Sequence, residues 1–145
     1  VSAVVPDTSI WITLIREGKA EDFVRRGVRA GSVRLASVVA EELYAGAAGP
    51  SDKEDLDRIR VAFASAGLTL TPTFDDWCSA GTMMARYAHL HGRIDPRDHV
   101  NDVLIVLSAA QIGGILLTWN IEDFQRWNRM LPTSRRVRVQ TPAGG

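Results

Sequence analysis

Two apolar runs in the last third of the chain restrict its fold more than any other feature of the sequence. Val103 to Ala110, VLIVLSAA, reads as a helix with almost no polar face, and such a helix lies inside a protein rather than on its surface. Gly113-Gly114 stops it, and Ile115-Leu116-Leu117-Thr118 follows, apolar nearly throughout. That is the pattern of an interior parallel strand. A buried helix leading into a buried strand needs cover on both sides, which a sheet flanked by helices supplies.

The rest of the chain alternates in the same way. Val4-Val5 is a short strand, and Ile10, Trp11, Leu14 and Ile15 recur at helical spacing until Gly18. A helix over Ala20 to Arg29 buries Phe23 and Val24, and a strand follows at residues 33–36. Ser37 is placed to cap the helix SVVAEELYAG. Another helix begins at Ser51, with Leu56, Ile59 and Phe63 on one face, and Leu68 to Leu70 forms a third strand. The spacing then predicts a long helix over 74–91, a loop over 92–96, a helix from Arg97, and one capped by Asn120. Val137 to Val139 is a last strand. The expectation is an α/β fold: a single three-layer domain over 1–140, with a short, mostly parallel sheet of about five strands flanked by helices, and a flexible tail over 141–145.

Bulk properties narrow the function. Seventeen basic and seventeen acidic residues balance to zero, so nucleic acid would have to be held by a local patch and not by the overall field. Only Lys19 and Lys53 are lysines, which excludes chemistry needing a lysine in the second half. Cys78 is the sole cysteine, so no intrachain disulfide forms; it reads as a small packing residue beside Trp77. No apolar stretch is long enough to cross a bilayer and no signal-peptide layout opens the chain, so a cytoplasmic setting is expected.

Four acidic positions stand out by placement. Asp7 follows the first strand, where ligands collect in open α/β sheets, although aspartate there also serves as an ordinary N-cap. Glu41 and Glu42 share one helix, and helical periodicity does not choose between them. Asp102 directly precedes the buried run, where a carboxylate is costly unless paired, hydrogen-bonded or bound to metal; stabilisation by the helix dipole is the milder reading. Asp123 lies three residues after Asn120, a variant of the capping box, yet it shares the sheet edge with Asp7. Carboxylates brought together would repel, and Mg²⁺ or Mn²⁺ relieves such a conflict because hard cations prefer oxygen ligands.

Taken in order, DTSIWI (7–12), SVVAEELYAG (37–46), NDVLIVLSAA (101–110) and TWNIEDF (118–124) resemble the PIN-domain family, and within it the VapC-type toxins of toxin–antitoxin pairs. The resemblance implies four acids at Asp7, Glu42, Asp102 and Asp123. It selects Glu42 over Glu41 because Glu42 precedes a leucine and stands four residues before a glycine. Thr118, Asn120 and Ser9 are the implied supporting polar residues. The implied activity is Mg²⁺- or Mn²⁺-dependent endoribonuclease cleavage of RNA by a homodimer, held inactive by a cognate antitoxin in a groove near the acids. Trp11, Ile12, Ile15, Leu43 and Tyr44 include residues that would line it. Trp119 stands where many relatives carry a basic residue, and LIVLSAA is bulkier than the usual alanine-rich version.

Arg93 and Arg97, flanking the loop before Asp102, are the leading arginines for substrate. Arg126, Arg129, Arg135, Arg136 and Arg138 form a wider set in a stretch without acids. His89, His91 and His99 receive no role. The main alternative is a non-catalytic PIN-like module that binds RNA or protein. A haloacid-dehalogenase-like phosphohydrolase fits less well, because Ser9 stands where that chemistry has its second aspartate and no late lysine follows. No Walker loop or GxGxxG is present.

Overall fold

In the computed structural model, which describes residues 2–143, strand β1 (Val4–Pro6) pairs parallel with β4 (Ile115–Leu117), and β4 pairs parallel with β5 (Arg138–Gln140). Strands β2 (Leu35–Ala36) and β3 (Thr69–Leu70) form a second parallel pair. One bridge, Val4 to Val33, joins the two patches, with Val4 N–H on Ser32 O at 2.8 Å and Arg34 N–H on Val4 O at 2.9 Å. The order across the molecule is β3-β2-β1-β4-β5. The expected five-stranded sheet is present among the described residues and wholly parallel, but it is seamed between β1 and β2.

Seven α-helices flank these strands among the described residues: α1 (Thr8–Arg16), α2 (Ala20–Ala30), α3 (Ser37–Ala45), α4 (Pro50–Ser65), α5 (Phe74–His91), α6 (Val100–Gln111) and α7 (Ile121–Asn128). The run Val103 to Ala109 of α6 is buried at every position, between α3, α5, α7 and β4. Burying such a run without a wet face is what pins α6 at the centre of the molecule. Asn128 ties α7 to the last strand by imitating a backbone: its Nδ2 donates to Val137 O at 2.8 Å and its Oδ1 accepts from Val137 N at 2.9 Å.

Several local expectations are corrected. Ser37 is the first residue of α3 rather than its cap, and Ala36 caps without a side-chain bond. A 3₁₀ turn at Pro96–Asp98 precedes α6, which starts at Val100 and not at Arg97. Asn120 precedes α7 without a side-chain cap, so no capping box with Asp123 forms there. The capping box is instead Thr73 with Asp76 at the head of α5. Cys78 is exposed and Trp77 is 55% exposed, so the two do not pack in the core. Of the anticipated tail, positions 144 and 145 lie outside the described residues, and 141–143 carry no helix or strand. No helix among the described residues is long and apolar enough to cross a membrane.

The approach of α2 to the Val33 bridge is unusually close. A Cβ on the buried Gly27 would come within 2.6 Å of Val33 Cγ2, and a buried β-branched neighbour has little freedom to yield. Gly27→Ala is expected to destabilise the fold by ~1–3 kcal/mol through overpacking, read from urea denaturation.

Candidate functional site

The direction in which strands are added reverses between β1 and β4, and side chains from both strand ends meet there. Asp7, at the junction of β1 and α1, is 3% exposed. Its Oδ1 accepts from Ile10 N (3.1 Å) and Ser9 Oγ (2.6 Å), and its Oδ2 accepts from Thr118 Oγ1 (2.6 Å). A carboxylate offers about four acceptor positions. Three are taken, which leaves about one, on Oδ2. The N-cap reading of Asp7 is therefore correct, and it does not compete with a ligand-binding one.

Thr118 accepts Asn120 N–H at 2.8 Å with the same hydroxyl that holds Asp7, and Trp119 N–H donates to Ser9 Oγ at 3.3 Å. These bonds lace the segment after β4 to the start of α1. Thr118→Val keeps the volume of this fully buried side chain but removes both contacts. It is expected to lower stability by ~1–2 kcal/mol, measurable by thermal unfolding.

Glu42 reaches the same place from α3. Thr8 Oγ1 donates to its Oε1 at 2.5 Å and Asn101 Nδ2 to its Oε2 at 3.3 Å. Glu41 is exposed, with Asn101 Nδ2 at 3.4 Å as its partner. The geometry thus separates the two glutamates that periodicity leaves equivalent. Asp102 enters from the first turn of α6 and Asp123 from that of α7. Asp7, Glu42, Asp102 and Asp123 line a single cavity of about 130 Å³ together with Thr8, Ser9, Asn120, Ile105 and Phe124. Thr8 and Asn101, which orient Glu42, are missed by sequence reasoning; their only signal is adjacency to Asp7 and Asp102.

The electrostatics follow from this crowding. Burial raises the Asp102 carboxyl to about 6, with Glu42, Asp123 and Asp7 adding to the shift in that order and Arg126 opposing it. The helix dipole at the start of α6 pulls the other way by up to ~1 kcal/mol and does not prevail. Among the described residues, no three Asp, Glu, His or Cys side chains are grouped so as to enclose an ion as they stand; the acids share walls rather than a point. The polar lining offers oxygens and one amide, with no imidazole or thiolate, which suits a hard cation that keeps part of its water shell.

The arginines divide differently from expectation. Arg97 is exposed and pairs with Asp95 at 2.9 Å, and neither Arg93 nor Arg97 lines the cavity. Arg126, three residues after Asp123, is the cation whose charge acts on Asp102, and its guanidinium carbon is 5.7 Å from the centre of the Tyr87 ring. His91 and His99 pack on Tyr87 and Trp127 respectively, outside the cavity. Of the residues named for the partner groove, Trp11 and Leu43 are buried in the core. Ile15 instead lines a larger cavity, about 510 Å³, with Val24, Ile59 and Ala62 between α1, α2 and α4.

The sequence pattern of the PIN domain matches residues 4–129. This chain belongs to the PIN domain family. No curated protein matches it in sequence. Among solved structures, the PIN fold seen here is similar to the DNA-bound VapBC of Salmonella typhimurium, with 20% identity, TM-score 0.65, and 97% of this chain and 98% of that one covered. It is similar also to VapBC-1 of nontypeable Haemophilus influenzae (20%, 0.62, 96% and 97%) and to FitAcB of Neisseria gonorrhoeae (18%, 0.61, 98% and 99%). At such identities the likeness concerns the fold, and the function of this PIN domain rests on its own residues.

Proposed function

We propose that this PIN domain is a metal-dependent endoribonuclease of the VapC type, hydrolysing RNA phosphodiester bonds with Asp7, Glu42, Asp102 and Asp123 holding Mg²⁺ or Mn²⁺. The observation that carries this reading is the meeting of four carboxylates, from four separate segments, around one small oxygen-rich cavity. Bringing like charges together costs stability, and that cost makes sense where a divalent ion offsets it. When bound, such an ion polarises the phosphate and lowers the pKa of the attacking water.

The chain's own residues would then divide the work. Asp7, fixed by Ser9, Ile10 and Thr118, offers its one open acceptor position. Asp102 would supply a second carboxylate, and hard cations such as Mg²⁺ favour such oxygen donors. Glu42, aligned by Thr8 and Asn101, and Asp123 would complete the acidic set around the ion.

The cavity between α1, α2 and α4, lined by Ile15, Val24, Ile59 and Ala62 together with charged Glu21, Arg25, Asp55 and Arg58, has the character of a seat for an amphipathic helix. A cognate antitoxin is the partner we assign to it. The test of the activity is incubation of the purified protein with mixed cellular RNA. Cleavage is expected with Mg²⁺ or Mn²⁺ and none with EDTA; RNA left intact under all three conditions would leave the non-catalytic reading.

A further inference from the structure

We propose that Trp119 is a stacking platform for an unpaired nucleobase of the RNA beside the acidic cavity. The inference rests on the ribonuclease reading and adds a residue that holds the substrate next to the acids.

Trp119 stands between Thr118, which holds Asp7, and Asn120, which lines the cavity. Its backbone N–H is on Ser9 Oγ, and its indole Nε1–H donates to Thr13 Oγ1 at 3.0 Å, one turn further along α1. Thr13 Oγ1 in turn donates to Ser9 O at 3.1 Å. The residue is thus tied to α1, which Asp7 caps, through both its backbone N–H and its indole N–H. The indole N–H is the only polar group of the side chain and is taken by Thr13, while the residue stays 40% exposed. Trp11 and Trp127 are 0% exposed and serve the core. Trp119 is held out of it.

An ordered, exposed aromatic face next to a site for phosphate is how sequence-tolerant single-strand binding works, because every base has a π-face to stack. A duplex keeps its bases in its own stack and has none to offer. An exposed tryptophan also suits a protein partner. The tether to α1 beside the cavity-lining Ser9 favours a base attached to a phosphate in that cavity.

The test uses the full chain in an Asp7→Asn background, with a short single-stranded oligoribonucleotide and a blunt-ended RNA duplex without a loop as probes, followed by fluorescence anisotropy. Trp119→Ala and Trp119→Leu are expected to weaken single-strand binding about tenfold and to leave duplex binding unchanged, with Trp119→Phe staying within about threefold of the parent. Trp77→Ala, exposed on α5, serves as the control and should change neither. Unaltered single-strand affinity in Trp119→Ala, or an equal loss on the duplex, overturns the inference and leaves a protein partner as the occupant of that face. If wild-type protein cleaves RNA while Trp119→Ala binds normally, only the stacking role falls. If neither cleavage nor binding occurs, the ribonuclease reading falls and this one with it.

Discussion

Asp7→Asn is expected to reduce metal-dependent RNA cleavage by a factor on the order of 10³ or more, the scale of losing several kcal/mol of metal-borne charge stabilisation. The fold should survive the change. Asn Oδ1 can still accept the Ile10 N–H that caps α1, and the new amide can donate to Thr118 Oγ1, whose hydroxyl is free to turn. What disappears is the anionic acceptor left over after those bonds. An intact thermal transition together with lost cleavage is the expected pair of results. Unchanged cleavage in Asp7→Asn would remove Asp7 from the chemistry and trace the activity to another site or a contaminant.

The second large effect concerns Asp102, whose neutralisation is expected to raise stability. Its carboxyl titrates near 6 in the folded chain against an ordinary value of 3.8, so the folded state holds the proton more tightly. The stability this group contributes is fully present below about pH 4 and is lost as pH rises through about 6. Asp102→Asn removes the charge at every pH. In EDTA at pH 7.5 the variant should therefore be the more stable protein by roughly 1–2 kcal/mol, a figure reduced from the full shift because part of the side chain stays in water. That corresponds to about 4 °C in Tm, shrinking to nothing near pH 4. The same linkage acts on the metal. Protons compete for Asp102, so Mn²⁺ affinity in the wild type should fall about tenfold per pH unit below 6, as calorimetric titration would measure. A variant less stable than wild type at pH 7.5 would contradict the crowding of charge described here.

Both effects depend on features that were unequally legible in the sequence. The helices and strands were readable because periodicity and punctuation agree: α5 spans Phe74–His91, as its spacing predicts, and the all-apolar run of α6 could only be interior. The seam in the sheet was not readable. β2 and β3 have two residues each, too few for any alternation to register. The choice of Glu42 over Glu41 needed the family resemblance, since its physical cause is the pair of bonds from Thr8 and Asn101, far away in the chain. Arg93 and Arg97 were singled out by nearness in sequence to Asp102, but the 3₁₀ turn before α6 intervenes and Arg97 folds back on Asp95. Arg126 carried a better signal in its spacing from Asp123, three residues on one helical face. Cys78 reads as a packing residue beside Trp77, but both lie on the wet side of α5, between the buried Asp76 and Ala80.

The lacing of Thr118 to Asp7 spans 111 positions, and Asp123 comes later still. A ribosome must therefore add every residue as far as Asp123 before the cavity can close. Synthesis products that stop short of β4 have neither the strand that completes the crevice nor the hydroxyl that orients its first acid. Whatever the cavity does is withheld from every copy that stops before Asp123, and a cut that releases β4 and α7 should silence one that has them.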